Sequence, residues 1–159
     1  MGCGRKLGHY DCCSVGIYIA SRARHAQRWR ELRGSGVPII STWIDEAGLG
    51  ETQDFSDLWQ RCISEASHAG ALVAYSEDGE GLVGGLIEIG AGLAMGVHVF
   101  VTGESLGLSK VCHHPLATRC ASLDSAIDLA RQRIALIESQ PNLFEKPKLQ
   151  MTKALFDEL

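Results

Sequence analysis

The chain reads as a single α/β domain built on a doubly wound parallel sheet. Short β-branched runs alternate with helical segments along almost the whole sequence, which is the signature of parallel strands covered by helices on both faces. The 159 residues, 45% hydrophobic and 21% charged, suit one domain with a real core. Five strands in the order 2-1-3-4-5 are the simplest arrangement of this kind, a flavodoxin-like or Rossmann-like domain with right-handed crossovers.

Each element follows from its local pattern. "SVGIYIA" (14–20) is a compact β-branched run and predicts a buried first strand. "RARHAQRWRELRGSG" (22–36) is basic with helical spacing and ends in glycines suited to a helix terminus. "VPIISTW" (37–43) predicts the second strand, and "IDEAGLGETQ" a loop. Asp54 or Ser56 can cap a helix over 54–69, whose Phe55, Leu58, Trp59 and Ile63 share a face. "GALVAYS" (70–76) predicts a third strand, "EDGEGLVGG" a glycine-rich loop, and "LIEIGAGLAM" (86–95) a helix. "HVFVTG" (98–103) and "TRCAS" (118–122) predict the fourth and fifth strands, and "LDSAIDLARQRIALIES" (123–139) a closing amphipathic helix. Three segments result: a flexible leader over 1–13, the α/β domain over 14–139, and a tail over 140–159 broken by Pro141 and Pro147.

Charge and composition narrow the partners. A net charge of −4 speaks against a nucleic-acid-binding surface, while Arg22 and Arg24 still leave room for a small anion. No apolar run approaches the roughly 20 residues needed to cross a bilayer, and the first residues lack the apolar centre of a signal peptide. The expected location is therefore cytoplasmic, with Cys3, Cys12, Cys13, Cys62, Cys112 and Cys120 as reduced thiols. Lys6 occupies the position where the myristoylation pattern wants Ser or Thr. Cys3, His9, Cys12 and Cys13 match no zinc-finger spacing, and the adjacent histidines of "VCHHP" (111–115) are poorly placed to share one ion, so no metal and no cofactor is expected.

One residue stands out chemically. In "GGLIEIGAGLAMG" (84–96) every residue is apolar or small except Glu88. A charge among such neighbours is paired, exposed by geometry, or functional. The predicted helix starts just before it, in a first turn where the dipole favours a carboxylate. The loops after strands 1 and 3 meet at the switch point of the sheet, where ligands bind, and both flank Glu88. Gly84 and Gly85 let a ligand approach the backbone, and their N–H groups can hold an anion. A desolvated carboxylate there suits attack on a sugar carbon. A structural Glu that caps its own helix or pairs with Arg22 explains the same pattern.

The segments "IYIASRARHAQRWREL", "IISTWIDE", "HAGALVAYSE", "GGLIEIGAGLAMGVHVFVTG" and "CHHPLATRCASLDSAI", in this order over roughly 16–130, resemble the nucleoside 2-deoxyribosyltransferase-like family, which includes 2′-deoxynucleoside 5′-phosphate N-hydrolases. The resemblance implies cleavage of the N-glycosidic bond of a nucleoside or nucleoside monophosphate. Glu88 matches the nucleophile that attacks C1′, and Tyr18 matches a strand tyrosine that positions it. Ser21 and Arg22 match a sugar- or phosphate-handling loop, Trp43 is a candidate base-stacking wall, and Gly84 and Gly85 belong to the substrate loop. Water as acceptor gives a hydrolase and a second base gives a transferase. A homo-oligomer, dimer or larger, is also implied, with the Gly-rich helix and the tail as contact surfaces. One position departs from the pattern: Cys62 stands where the family commonly has Asp. Glu65, one turn on, is a candidate substitute, as are the loop carboxylates Glu77, Asp78 and Glu80, whereas Asp57 points elsewhere on a regular helix. If none replaces the missing acid, the alternative is a catalytically weak nucleotide-binding module on the same fold.

Overall fold

The computed structural model describes residues 15–47, 54–104 and 106–140. The leader over 1–13, with its cysteines, and the tail beyond residue 140 lie outside them.

Four parallel strands form one sheet in the order β1 (Ile17–Ala20), β2 (Ala71–Tyr75), β3 (His98–Thr102), β4 (Ala117–Arg119). Between them run a 3-10 turn (Ala23–His25) and helices α1 (Ala26–Gly34), α2 (Trp43–Glu46), α3 (Phe55–His68), α4 (Val83–Ala94), α5 (Leu106–Val111) and α6 (Leu123–Ser139). Every side chain of β1 is buried, as are four of five in β2 and in β3, which explains their continuous apolar runs.

The register assigns the two faces. Tyr18 pairs with Leu72, and Leu72 with Val99, so these three point the same way. Leu72 Cδ1 lies 3.3 Å from where a Cβ on Gly92 would stand, which makes this the face covered by α4. Alternation sends Tyr75 and His98 to the other face. There Trp29 of α1 meets Tyr75 edge-on, with ring centroids 5.4 Å apart, and Arg133 of α6 acts on His98. Helices α1 and α6 thus cover one face, and α3 and α4 the other, packed against each other.

The five-strand order 2-1-3-4-5 is corrected: among the described residues there are four strands, in the order β1-β2-β3-β4. The expected second strand, 37–43, touches β1 through a single bridge, Ile17 with Ile39. Ile17 donates to Pro38 O at 2.8 Å and Ile40 to Ile17 O at 3.0 Å. Pairing then stops because the Ser41 hydroxyl, not a backbone carbonyl, accepts the Ile19 N–H at 2.6 Å. Thr42 has helical dihedrals and leads into α2. The β-branched Val37, Ile39, Ile40 and Thr42 favoured a strand, and a side-chain acceptor ended it early.

Other boundaries follow their local chemistry. Asp54 caps α3 by accepting from Ser56 and Asp57 N–H groups. Ser122 and Ser125 form a reciprocal capping box on α6. Helix α5 has no counterpart in the sequence reading. Gly103 lets the chain turn off β3: its φ is +89°, and a Cβ there would stand 1.7 Å from Ser76 O. Gly103→Ala is expected to lose at least about 2 kcal/mol in chemical denaturation. Gly34→Ala, which meets no atom within 4 Å, is expected to be neutral or slightly stabilising in the same measurement.

Candidate active site

A cavity of about 240 Å³ opens beyond the carboxyl ends of β1 and β2. The loop after β1 contributes Ser21, Arg22 and Ala23 to its lining, and α2 contributes Trp43. Helix α3 contributes Leu58 and Cys62, and the start of α4 with its approach contributes Gly81 to Gly85 and Glu88. The chain leaves β1 for its outer edge at Ile39 and returns on the opposite side as β2, so the cavity lies where the direction of travel reverses. Six of the seven residues singled out in the sequence, Ser21, Arg22, Trp43, Gly84, Gly85 and Glu88, line this one space.

The seventh, Tyr18, lies behind it. Its side chain is fully buried, and its hydroxyl has no hydrogen-bond partner among the described residues. Burial pushes its pKa far above the ordinary tyrosine value, and the charges of Glu88, Cys62 and Glu65 add to the rise. The hydroxyl is therefore close enough to feel Glu88 and Cys62 without an aligned hydrogen bond to either. An unmatched hydroxyl in a core costs about 1–3 kcal/mol.

Glu88 is half-buried and forms no salt bridge among the described residues. Arg22 does not pair with it; its guanidinium donates to Gly81 O at 3.0 Å. Burial raises the Glu88 pKa to about 7, the nearby Tyr18 hydroxyl and Cys62 thiol moderate the rise, and the negative charge of Glu65 adds to it. The expected first-turn position is corrected. Helix α4 starts at Val83, because Gly84 and Gly85 adopt helix rather than loop, so Glu88 sits in the second turn. There the dipole helps little, and desolvation decides its protonation. The amides of Val83, Gly84 and Gly85 remain free of i−4 partners, and Leu82 at the N-cap supplies no side-chain acceptor.

Cys62 is buried on the cavity floor, and burial pushes its thiol up to about 11, moderated by the Tyr18 hydroxyl. Glu65, the candidate substitute acid, is turned aside. One of its oxygens accepts from Thr42 N at 3.0 Å and the other from Thr42 Oγ1 at 2.6 Å, and it is not among the lining residues. Trp43 is held by its Nε1–H donating to Ile19 O at 2.9 Å. The Ser21 hydroxyl accepts from Trp29 Nε1 at 2.7 Å.

A clasp that the sequence reading missed joins the two loops around the cavity. Glu80, taken there for one of several loop carboxylates, is buried. It accepts from His25 Nε2 at 3.0 Å, from Arg24 Nε at 2.6 Å and from Glu77 N at 2.7 Å. Burial alone would raise its pKa, but the Glu77 amide, His25 and Arg24 hold it below the ordinary carboxylate value. Glu77 also pairs with Arg24 at 3.4 Å and Arg28 at 3.6 Å. His25, Glu77 and Glu80 bring possible metal-ligating atoms within 4.8 Å of one another, but the arginines already answer their charge. A run of acids after one strand and of bases after its neighbour was the available sequence signal. The "HHP" segment leads into the amino end of β4, so it does not line this cavity.

Because the folded protein holds Glu88 near 7 against 4.5 for the free side chain, ionising it costs the fold on the order of 3 kcal/mol. Its contribution is full below pH 4.5, declines as pH rises to 7, and is flat above that. Glu88→Gln is therefore expected to match wild type in denaturation at pH 4.5 and to exceed it at pH 8. Equal stability at both values would contradict the desolvated carboxylate. Against this geometry, no protein-family model, no curated protein and no solved structure matches the chain.

Proposed function

We propose that the protein cleaves the N-glycosidic bond of a nucleoside or nucleoside 5′-monophosphate, with Glu88 as nucleophile. The observation that carries this reading is a desolvated, unpaired carboxylate opening into a cavity beside an unsatisfied tyrosine hydroxyl. A carboxylate with a pKa near 7 is poised between its forms at neutral pH. Ionised and poorly solvated, it can attack C1′ to form a glycosyl ester, which water or a second base then resolves. Tyr18 is the positioning partner, held out of solvent and facing Glu88. Trp43 offers an aromatic wall for the base. Arg22, Ser21 and the free amides at the start of α4 suit a sugar or a 5′-phosphate. Resemblance in the segments around Tyr18, Trp43 and Glu88 to nucleoside 2-deoxyribosyltransferase-like proteins supports the same reading.

A second copy of the chain is the partner we propose, seated on α3 and α4. Phe55, Trp59, Val83, Leu86 and Ile87 are exposed, Val83 by 75% and Phe55 by 66%. Apart from Glu88, α4 carries no charged side chain. Together these side chains expose on the order of 500 Å² of apolar surface, a large part of the roughly 800 Å² that each partner of a stable dimer buries. Val83 also lines the cavity, so the contact would wall its rim. No helix among the described residues is long and apolar enough to cross a membrane.

Free-base release from ribo- and deoxynucleosides and their 5′-monophosphates, with and without an acceptor base, tests the activity. Glu88→Ala is expected to abolish release, a loss of at least about 10³-fold. Tyr18→Phe is expected to keep or raise stability while lowering turnover and moving the pH profile upward, since the nearby hydroxyl that holds the carboxylate's pKa down is removed. Wild-type rates in Glu88→Ala would sink the proposal. For the dimer, light scattering on Ile87→Lys is expected to give half the wild-type mass with unchanged circular dichroism; an unchanged mass would refute this interface.

A further inference from the structure

Among the described residues, the cavity lining holds a candidate nucleophile but no second acid. Among the described residues that line it, Glu88 is the only carboxylate. The neighbouring acids are committed elsewhere. Both Glu65 oxygens are held by Thr42, Glu46 and Asp57 pair with Arg61, and Asp45 pairs with Arg33. Glu80 is enclosed by His25, Arg24 and the Glu77 amide. The two remaining donors near Glu88 are poor ones. Cys62 is a neutral thiol raised to about 11, and the Tyr18 phenol is raised further. Departure of a neutral base as an anion is difficult without a proton, so an N-glycosidase on neutral bases needs a second acid with a pKa near the working pH.

Resting on the reading of Glu88 as a glycosyl nucleophile, we infer that the preferred substrates are cationic N-glycosides, in which a positively charged heteroaromatic ring, such as a pyridinium or an N7-alkylated purine, is bonded to C1′. For these the missing acid is not needed. The C1′–N bond breaks and its electron pair passes to the ring nitrogen, cancelling the ring charge, so the base departs neutral. A Glu88 oxygen forms the C1′–O ester. Water then adds at C1′, the ester bond breaks with its pair returning to Glu88, and one proton from the water passes to solvent. The sum is a cationic glycoside and water giving neutral base, free sugar and a proton.

The site suits such a ring in two further ways. A cation beside Glu88 favours the ionised carboxylate, so the bound substrate brings its own nucleophile into the reactive form. A neutral base brings no such charge to the carboxylate. Trp43, fixed by its bond to Ile19 O, gives an aromatic wall of the kind that attracts cations.

The test compares kcat/KM, after subtraction of the buffer rate, for nicotinamide riboside and 7-methylguanosine against inosine and guanosine, with their 5′-monophosphates run in parallel. Wild type is expected to favour the cationic members by at least about 100-fold. Cys62→Asp, which places a carboxyl on the cavity floor, is expected to raise the ratio of neutral to cationic kcat/KM at least tenfold relative to wild type, whatever it does to both rates together. Neutral substrates turned over by wild type as fast as cationic ones, in a Glu88-dependent way, would overturn the cationic preference while leaving the glycosidic reading intact. No Glu88-dependent release from any substrate would overturn the glycosidic reading itself. The wild-type comparison stands even if Cys62→Asp fails to fold.

Discussion

A parallel sheet buried on both faces has no place for polar side chains except the ends of its strands. In this chain β1 is wholly buried and β2 nearly so, and the polar groups that follow them, Ser21 to His25 and Glu77 to Glu80, gather at one end. There they satisfy each other across the two loops. Glu80 meets Arg24 at 2.6 Å and His25 at 3.0 Å, two of the three side chains being buried. Such a pair contributes little net stability against a well-packed apolar alternative, but removing one partner strands a buried charge. Its effect is to hold the loop that delivers Gly81 to Gly85 and the start of α4.

That geometry gives Glu88 its character. Helix α4 must lie close against α3 and the sheet, and Gly92, whose missing Cβ would meet Ala66 O at 3.2 Å, lets it do so. The approach brings Glu88 over Tyr18 and Cys62 and strips it of water. Desolvation, not the helix dipole, then sets its protonation. The same packing leaves the outer side of α4 apolar and uncovered, so one helix supplies both the candidate nucleophile and the candidate dimer surface. Coupling of this kind makes the occupancy of the cavity and the assembly state physically adjacent.

The element types were largely legible in the sequence because each depends on neighbours in the chain. Asp54 caps the helix that follows it, β-branched runs mark β1 to β3, and the helix over 123–139 is found with the expected ends. The convergence of Ser21, Arg22, Trp43 and Glu88 was also legible, since the crossover topology of an alternating chain brings loops after adjacent strands together. Where the reading failed, a contact distant in sequence had intervened. Ser41 stopped a strand by capturing Ile19 N–H from 22 residues away. Thr42 withdrew Glu65 from the cavity across 23 residues. His25 drew Glu80 out of solvent across 55.

Sequence by itself determined the class of the fold, the alternation of the four paired strands with α1, α3, α4 and α6, and the peculiarity of a single carboxylate in an apolar segment. Those features depend on composition, periodicity and short-range capping, which act along the chain. Tertiary structure alone decided how many strands pair, where α4 begins relative to Glu88, and which acids face the cavity. It also decided that Tyr18 would be buried with its hydroxyl unmatched. These outcomes depend on desolvation and on hydrogen bonds between segments far apart in the chain, and neither is specified until the segments pack.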